Sequence, residues 1–114
     1  TLGKVKEAKS EWKKAKLVYR LAKREADFQI REAYEVWQAS IREYRALELA
    51  LKGTEENYRL QRDEYKRNLV SNLDVLEALE SLIETRREAS RLLYETKQNY
   101  WRLKIATGAC CESL

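Results

Sequence analysis

A chain of 114 residues without one proline, carrying apolar residues at alternating steps of three and four, has little choice but long helices. From Lys4 these positions are Val5, Ala8, Trp12, Ala15, Tyr19, Ala22 and Ala26. The pattern then slips by one step and continues through Ile30, Ala33, Trp37, Ile41, Tyr44, Leu47 and Leu51, with Tyr58 and Tyr65 extending it. Only YKRNLVSNLDVLEA, Tyr65 to Ala78, is punctuated rather than periodic. Asn68 suits the left-handed conformation that ends a helix. Ser71 or Asn72 suits the position that accepts hydrogen bonds from the free amides opening the next helix. The expected fold is therefore all-α, a long antiparallel helical hairpin or coiled coil. Helix one covers about 4–67 and helix two about 72–107, with Gly108 as C-cap and a disordered tail at 109–114.

Gly53-Thr54 is the one internal blemish in the first helix. A glycine in a helix interior costs about 1 kcal/mol relative to alanine. A break there would leave a middle helix too short to pair with its neighbours, so the helix is expected to run through. Residues 4–67 then span roughly 96 Å at about 1.5 Å per residue.

The second helix carries two apolar stripes. One is Val75, Ala78, Leu82, Thr85, Ala89, Leu92, Thr96 and Leu103; the other is Leu76, Leu79, Ile83, Ser90, Leu93 and Tyr100. A simple hairpin needs one stripe. Two imply neighbours on both sides, as in a bundle or a barrel of helices. The lengths also mismatch: the second helix can cover only the 33–67 half of the first. Residues 4–32 keep a seam with no partner in this chain. The chain is therefore expected to be a fragment, and to self-associate antiparallel to cover that seam.

Composition narrows the function. Hydrophobic residues at 44% and charged residues at 37%, with three Gly and one Phe, fit narrow seams rather than a thick core. Residues 1–24 hold nine Lys or Arg against two Glu, a balance of +7, leaving −3 for the rest of a chain whose net charge is +4. A basic arm could attract nucleic acid or an anionic membrane. Its aromatics, Trp12 and Tyr19, fall on the apolar seam rather than among the lysines, so a solvated helix face is the simpler reading and no nucleic-acid partner is expected. The two cysteines, Cys110 and Cys111, are adjacent near the C-terminus, and histidine is absent. Neither a zinc site nor a nucleophile with its base is present, so no metal, cofactor or enzyme activity is expected. No apolar run is long enough to span a membrane as a helix.

The reversal resembles the turn motif of the TolC-like outer membrane efflux family, close to Y-x-x-G-L-V-S-x-L-D-V-L-x-A. The matching residues are Tyr65, Leu69, Val70, Ser71, Leu73, Asp74, Val75, Leu76 and Ala78. GTEENYRLQRDEY upstream and LKIATG downstream fit the same pattern, and the resemblance covers about 3–108. One departure is Asn68, where the family uses glycine; asparagine is the best substitute in a left-handed position.

The resemblance implies a trimeric outer membrane channel whose periplasmic α-barrel is built from such hairpins. Its partners would be a periplasmic adaptor protein and an inner-membrane transporter. Its β-strands, absent here, would sit in the outer membrane while this segment lies in the periplasm. Asn68, Leu69, Val70 and Ser71 would form the adaptor-docking tip. Asp74 and Glu77 would line the channel entrance as an acidic ring, or else only favour the helix dipole. Tyr65 would help hold the entrance closed, or else pack in the seam. The alternative is a cytoplasmic coiled-coil scaffold that binds partner helices.

Overall fold

A computed structural model describes residues 1–108; the expected tail, with Cys110 and Cys111, lies outside the described residues. Helix α1 spans Leu2–Lys66 and α2 spans Asn72–Ala106. They form the antiparallel hairpin that the periodicity predicts. The ends differ from expectation by one or two residues, the usual scatter of frayed termini.

α1 passes through Gly53 without interruption. The molecule's long dimension is 99 Å, close to the roughly 98 Å of a straight 65-residue helix. A Cβ added at Gly53 would meet nothing within 4 Å, so no close approach requires the glycine. Its neighbours hold the helix together. Leu51 and Thr54 are half-buried against α2, and the Thr54 hydroxyl donates to the Leu51 carbonyl at 3.0 Å.

The core is a single seam. Ala78, Leu82, Ala89 and Leu92 of α2 are buried, and all belong to the first of its two stripes. Facing them, Ile30, Ala33, Trp37, Ile41, Tyr44, Leu47, Leu51 and Tyr58 of α1 are half-buried. Ser40, a position the apolar count passes over, is the one α1 residue fully buried. Its hydroxyl donates to the Trp37 carbonyl at 2.7 Å. Thr85 and Thr96 do the same to Ser81 and Leu92, at 2.8 and 2.7 Å. A hydroxyl satisfied by its own helix can enter an apolar seam without an orphaned donor, and its small size lets the backbones approach.

Aromatic rings close the open end of the hairpin. Trp37 meets Tyr100 across the helices with centroids 5.5 Å apart, flanked by Tyr34 and Trp101. Beyond this point α1 continues alone. Every described residue from Thr1 to Gln29 is exposed, including Trp12 at 62% and Tyr19 at 68%. Cover begins at Ile30 rather than at 33, three residues further than the lengths suggested. The second α2 stripe is covered only in part: Leu79 and Tyr100 are half-buried, while Leu76, Ile83 and Leu93 are 52%, 41% and 37% exposed.

This division predicts unequal mutational costs. Leu92→Ala should lower unfolding stability by about 3 kcal/mol, whereas Leu76→Ala should cost less than about 1 kcal/mol, measured by urea denaturation followed by circular dichroism. Gly53→Ala, entering open space within a helix, should raise stability by about 1 kcal/mol in the same assay.

Candidate functional site

The reversal is built from backbone hydrogen bonds before any side chain acts. Leu69 N–H donates to Glu64 O at 2.9 Å and Asn68 N–H to Tyr65 O at 3.0 Å. This six-to-one and five-to-two pair is the Schellman arrangement, and it needs the residue that donates the five-to-two bond to be left-handed. Asn68 is that residue, at φ 58°, the sole positive-φ residue other than glycine among those described. Asparagine therefore takes the role the family pattern gives to glycine.

Three residues on, Ser71 is the N-cap of α2, which settles the choice between Ser71 and Asn72. Its hydroxyl accepts from Asp74 N–H at 3.3 Å, while Asp74 Oδ2 accepts from the Ser71 N–H and hydroxyl, each at 2.9 Å. This is a reciprocal capping box with aspartate in place of the usual glutamate. The two donors hold the Asp74 carboxyl below its ordinary value of 3.8 by stabilising the charged form. Asp74 is thus a structural element of the turn, whatever else it does.

The tip residues divide by exposure. Leu69 is 68% exposed and Val70 is half-buried. Leu73, which the sequence reading did not single out, is 62% exposed, so Leu69 and Leu73 are the two bare leucines of the tip. Glu77 is exposed and makes no ion pair among the described residues. Tyr65 does not pack in the seam; it is 47% exposed. The first α2 residue with appreciable burial is Val75, so the last turn of α1 has no apolar partner opposite it.

Asp74 and Glu77 share a polar groove of about 250 Å³ with Asn57, Gln61, Ala78 and Ser81. The Gln61 Oε1 is buried and has no hydrogen-bond partner. Nothing in the periodicity marks Asn57 or Gln61, because their placement depends on which α1 turn faces the start of α2. A larger cavity, about 650 Å³, lies at the other end, lined by Ile30, Tyr34, Tyr100 and Leu103 among others. It is the notch where α2 stops and α1 continues, roughly 50 Å from the tip by helix length.

Among the described residues no group of His, Cys, Asp or Glu is arranged to hold a metal, and no helix is long and apolar enough to cross a membrane. Comparison with protein-family models, curated proteins and solved structures found no match.

The capping box sets a pH dependence. Because Asp74 holds its proton less tightly folded than unfolded, its stabilisation is full above the ordinary carboxylate range and is lost as pH falls through the lowered folded value. Carboxyl-carbon NMR should find Asp74 titrating below 3.8, and Ser71→Ala should return it toward that value while costing about 1 kcal/mol of stability.

Proposed function

We propose that this hairpin is one stave of the periplasmic helical barrel of a trimeric outer membrane efflux or secretion channel, with its tip docking an adaptor protein. The observation that carries the reading is the reversal. Its two helix caps are closed by internal hydrogen bonds, so the Leu69 and Leu73 side chains are not needed to close the turn. Yet they stand 68% and 62% exposed at the tip, where apolar side chains that the turn does not use suit a protein contact. The second stripe of α2, covered only in part, agrees with a barrel, in which every helix has two neighbours.

In this reading Asn68, Leu69, Val70 and Ser71 present the docking loop. Asp74 and Glu77, with Glu80 and Glu84 further along α2, give three-fold rings of negative charge near the entrance that attract cations. Asp74 faces the lumen with one oxygen already engaged by Ser71, so Glu77 is the more available of the two. Tyr65, exposed at the end of α1, would bond a neighbouring stave. Cargo selection belongs to the inner-membrane transporter. The bare arm at 2–29 favours one competing reading, a coiled-coil scaffold that binds other helices and needs no tip chemistry.

Substitution at the tip separates the two. In the full-length channel, Leu69→Asp combined with Val70→Asp should leave the trimer intact and weaken adaptor binding by about thirtyfold, the order of an interface hot spot. Adaptor affinity and dye efflux both unchanged would sink the docking assignment.

A further inference from the structure

We propose that the bare arm of α1 docks, in parallel, on the outward stripe of α2 in a second copy of this chain, and that the reciprocal contact closes a two-fold dimer. This pairing follows from the stripes and charges of the chain itself and competes with the channel reading, which gives the same outward stripe to a neighbouring stave.

The surface asks for a partner. The chain exposes 9575 Å², against about 6,500 Å² for a compact monomer of its 13.5 kDa mass. The arm is exposed throughout, and on the outer side of α2 Leu76, Ile83 and Leu93 are exposed while Leu79 is half-buried.

The two stripes share one spacing. Val5, Ala8, Trp12, Ala15, Tyr19, Ala22 and Ala26 repeat at the same three-four steps as Leu76, Leu79, Ile83, Arg86, Ser90, Leu93 and Lys97. Set side by side, small residues meet large ones at three levels, Ala8 with Leu79, Tyr19 with Ser90 and Ala22 with Leu93, and large apolar residues meet at two, Val5 with Leu76 and Trp12 with Ile83. At the two polar levels the stems of Arg86 and Lys97 lie over Ala15 and Ala26. Parallel heptad pairing also fixes the flanks, where each residue preceding an a position faces an e position of the partner. Of the four flanking pairs this register makes, Lys4 with Glu80 and Glu11 with Arg87 are of opposite charge, Val18 with Tyr94 is apolar, and Glu25 falls beside Trp101. None of Lys4, Glu11, Glu80 and Arg87 has an ion-pair partner within the chain among the described residues.

The wider charge agrees. Residues 1–24 carry +7, while 72–85 hold Asp74, Glu77, Glu80 and Glu84 with no Lys or Arg. Arm on arm would instead oppose two basic segments. Length agrees too: the arm, roughly 42 Å, fits within the roughly 52 Å of α2. Since the arm points away from its own tip, this register carries its start to the partner's tip. The two hairpins then lie at opposite ends of a rod, each forming a three-helix bundle with the other's arm.

The test uses the full chain with Cys110→Ser and Cys111→Ser. Sedimentation equilibrium should give twice 13.5 kDa at micromolar concentration. Lys4→Glu with Glu11→Lys should weaken the dimer about tenfold or more, and adding Glu80→Lys with Arg87→Glu should restore it, because the charges are then exchanged rather than opposed. All these positions are exposed, and unchanged helical circular dichroism confirms folding. In the same background, Ala8→Cys with Leu79→Cys should oxidise to a dimer linked between positions 8 and 79. A monomer throughout the micromolar range, a dimer indifferent to the charge exchange, or linkage of position 8 to position 8 would each overturn the pairing. So would an arm that binds duplex DNA or anionic vesicles while the chain stays monomeric.

Discussion

The hydrogen bonds that end α1 at Glu64 and Tyr65 and begin α2 at Ser71 and Asp74 set the register of everything behind them. Five residues of reversal decide which face of α2 meets α1. From that choice follows which of its two stripes is buried and which is left outward. Had the turn been one residue shorter, α2 would have rotated by about 100°, presenting Leu76 and Ile83 to α1 in place of Val75 and Leu82. The closed caps therefore do more than finish two helices. They select one of two apolar faces of α2 as the core and leave most of the other turned outward.

Much of this was legible from spacing. The stripe beginning at Val75 is the one that becomes buried, and the α1 positions from Ile30 to Leu51 line the other side of the seam. Asn68 was readable because few residues without a glycine's freedom tolerate a positive φ. Gly53 was correctly discounted as a break because seam residues flank it on both sides. The failures have a common cause. Ser40, Gln61 and Leu73 are placed by how the two helices face each other at one level, and a hydropathy pattern treats each helix alone. Tyr65 continued the numerical pattern of α1, but the pattern cannot know that Leu73, the apolar residue nearest the start of α2, stands 62% exposed. Asp74 was visible as an acid in a first turn; its reciprocal bond with Ser71 required the turn's geometry.

The family resemblance and the geometry bear on different things. The first names a job for the tip, while the second explains why the tip has leucines to spare. Neither the seam nor the caps require Leu69 or Leu73 to be apolar, and that surplus is what a binding role accounts for.

The uncovered stretch of α1 has a further meaning for how the molecule breathes. One continuous helix passes from a region braced by α2 into a region braced by nothing. Helical segments of this length without tertiary contacts are marginal in water, so the hydrogen-bonded backbone of α1 grades from cooperative protection near the seam to frequent opening toward Leu2. The aromatic group at Trp37 and Tyr100 marks the boundary between the two regimes. Whatever covers the arm must therefore hold it helical as well as cover it, and part of the binding free energy is consumed in that ordering. Such an association is weaker than its area suggests and quicker to let go, which suits a joint that is assembled and taken apart.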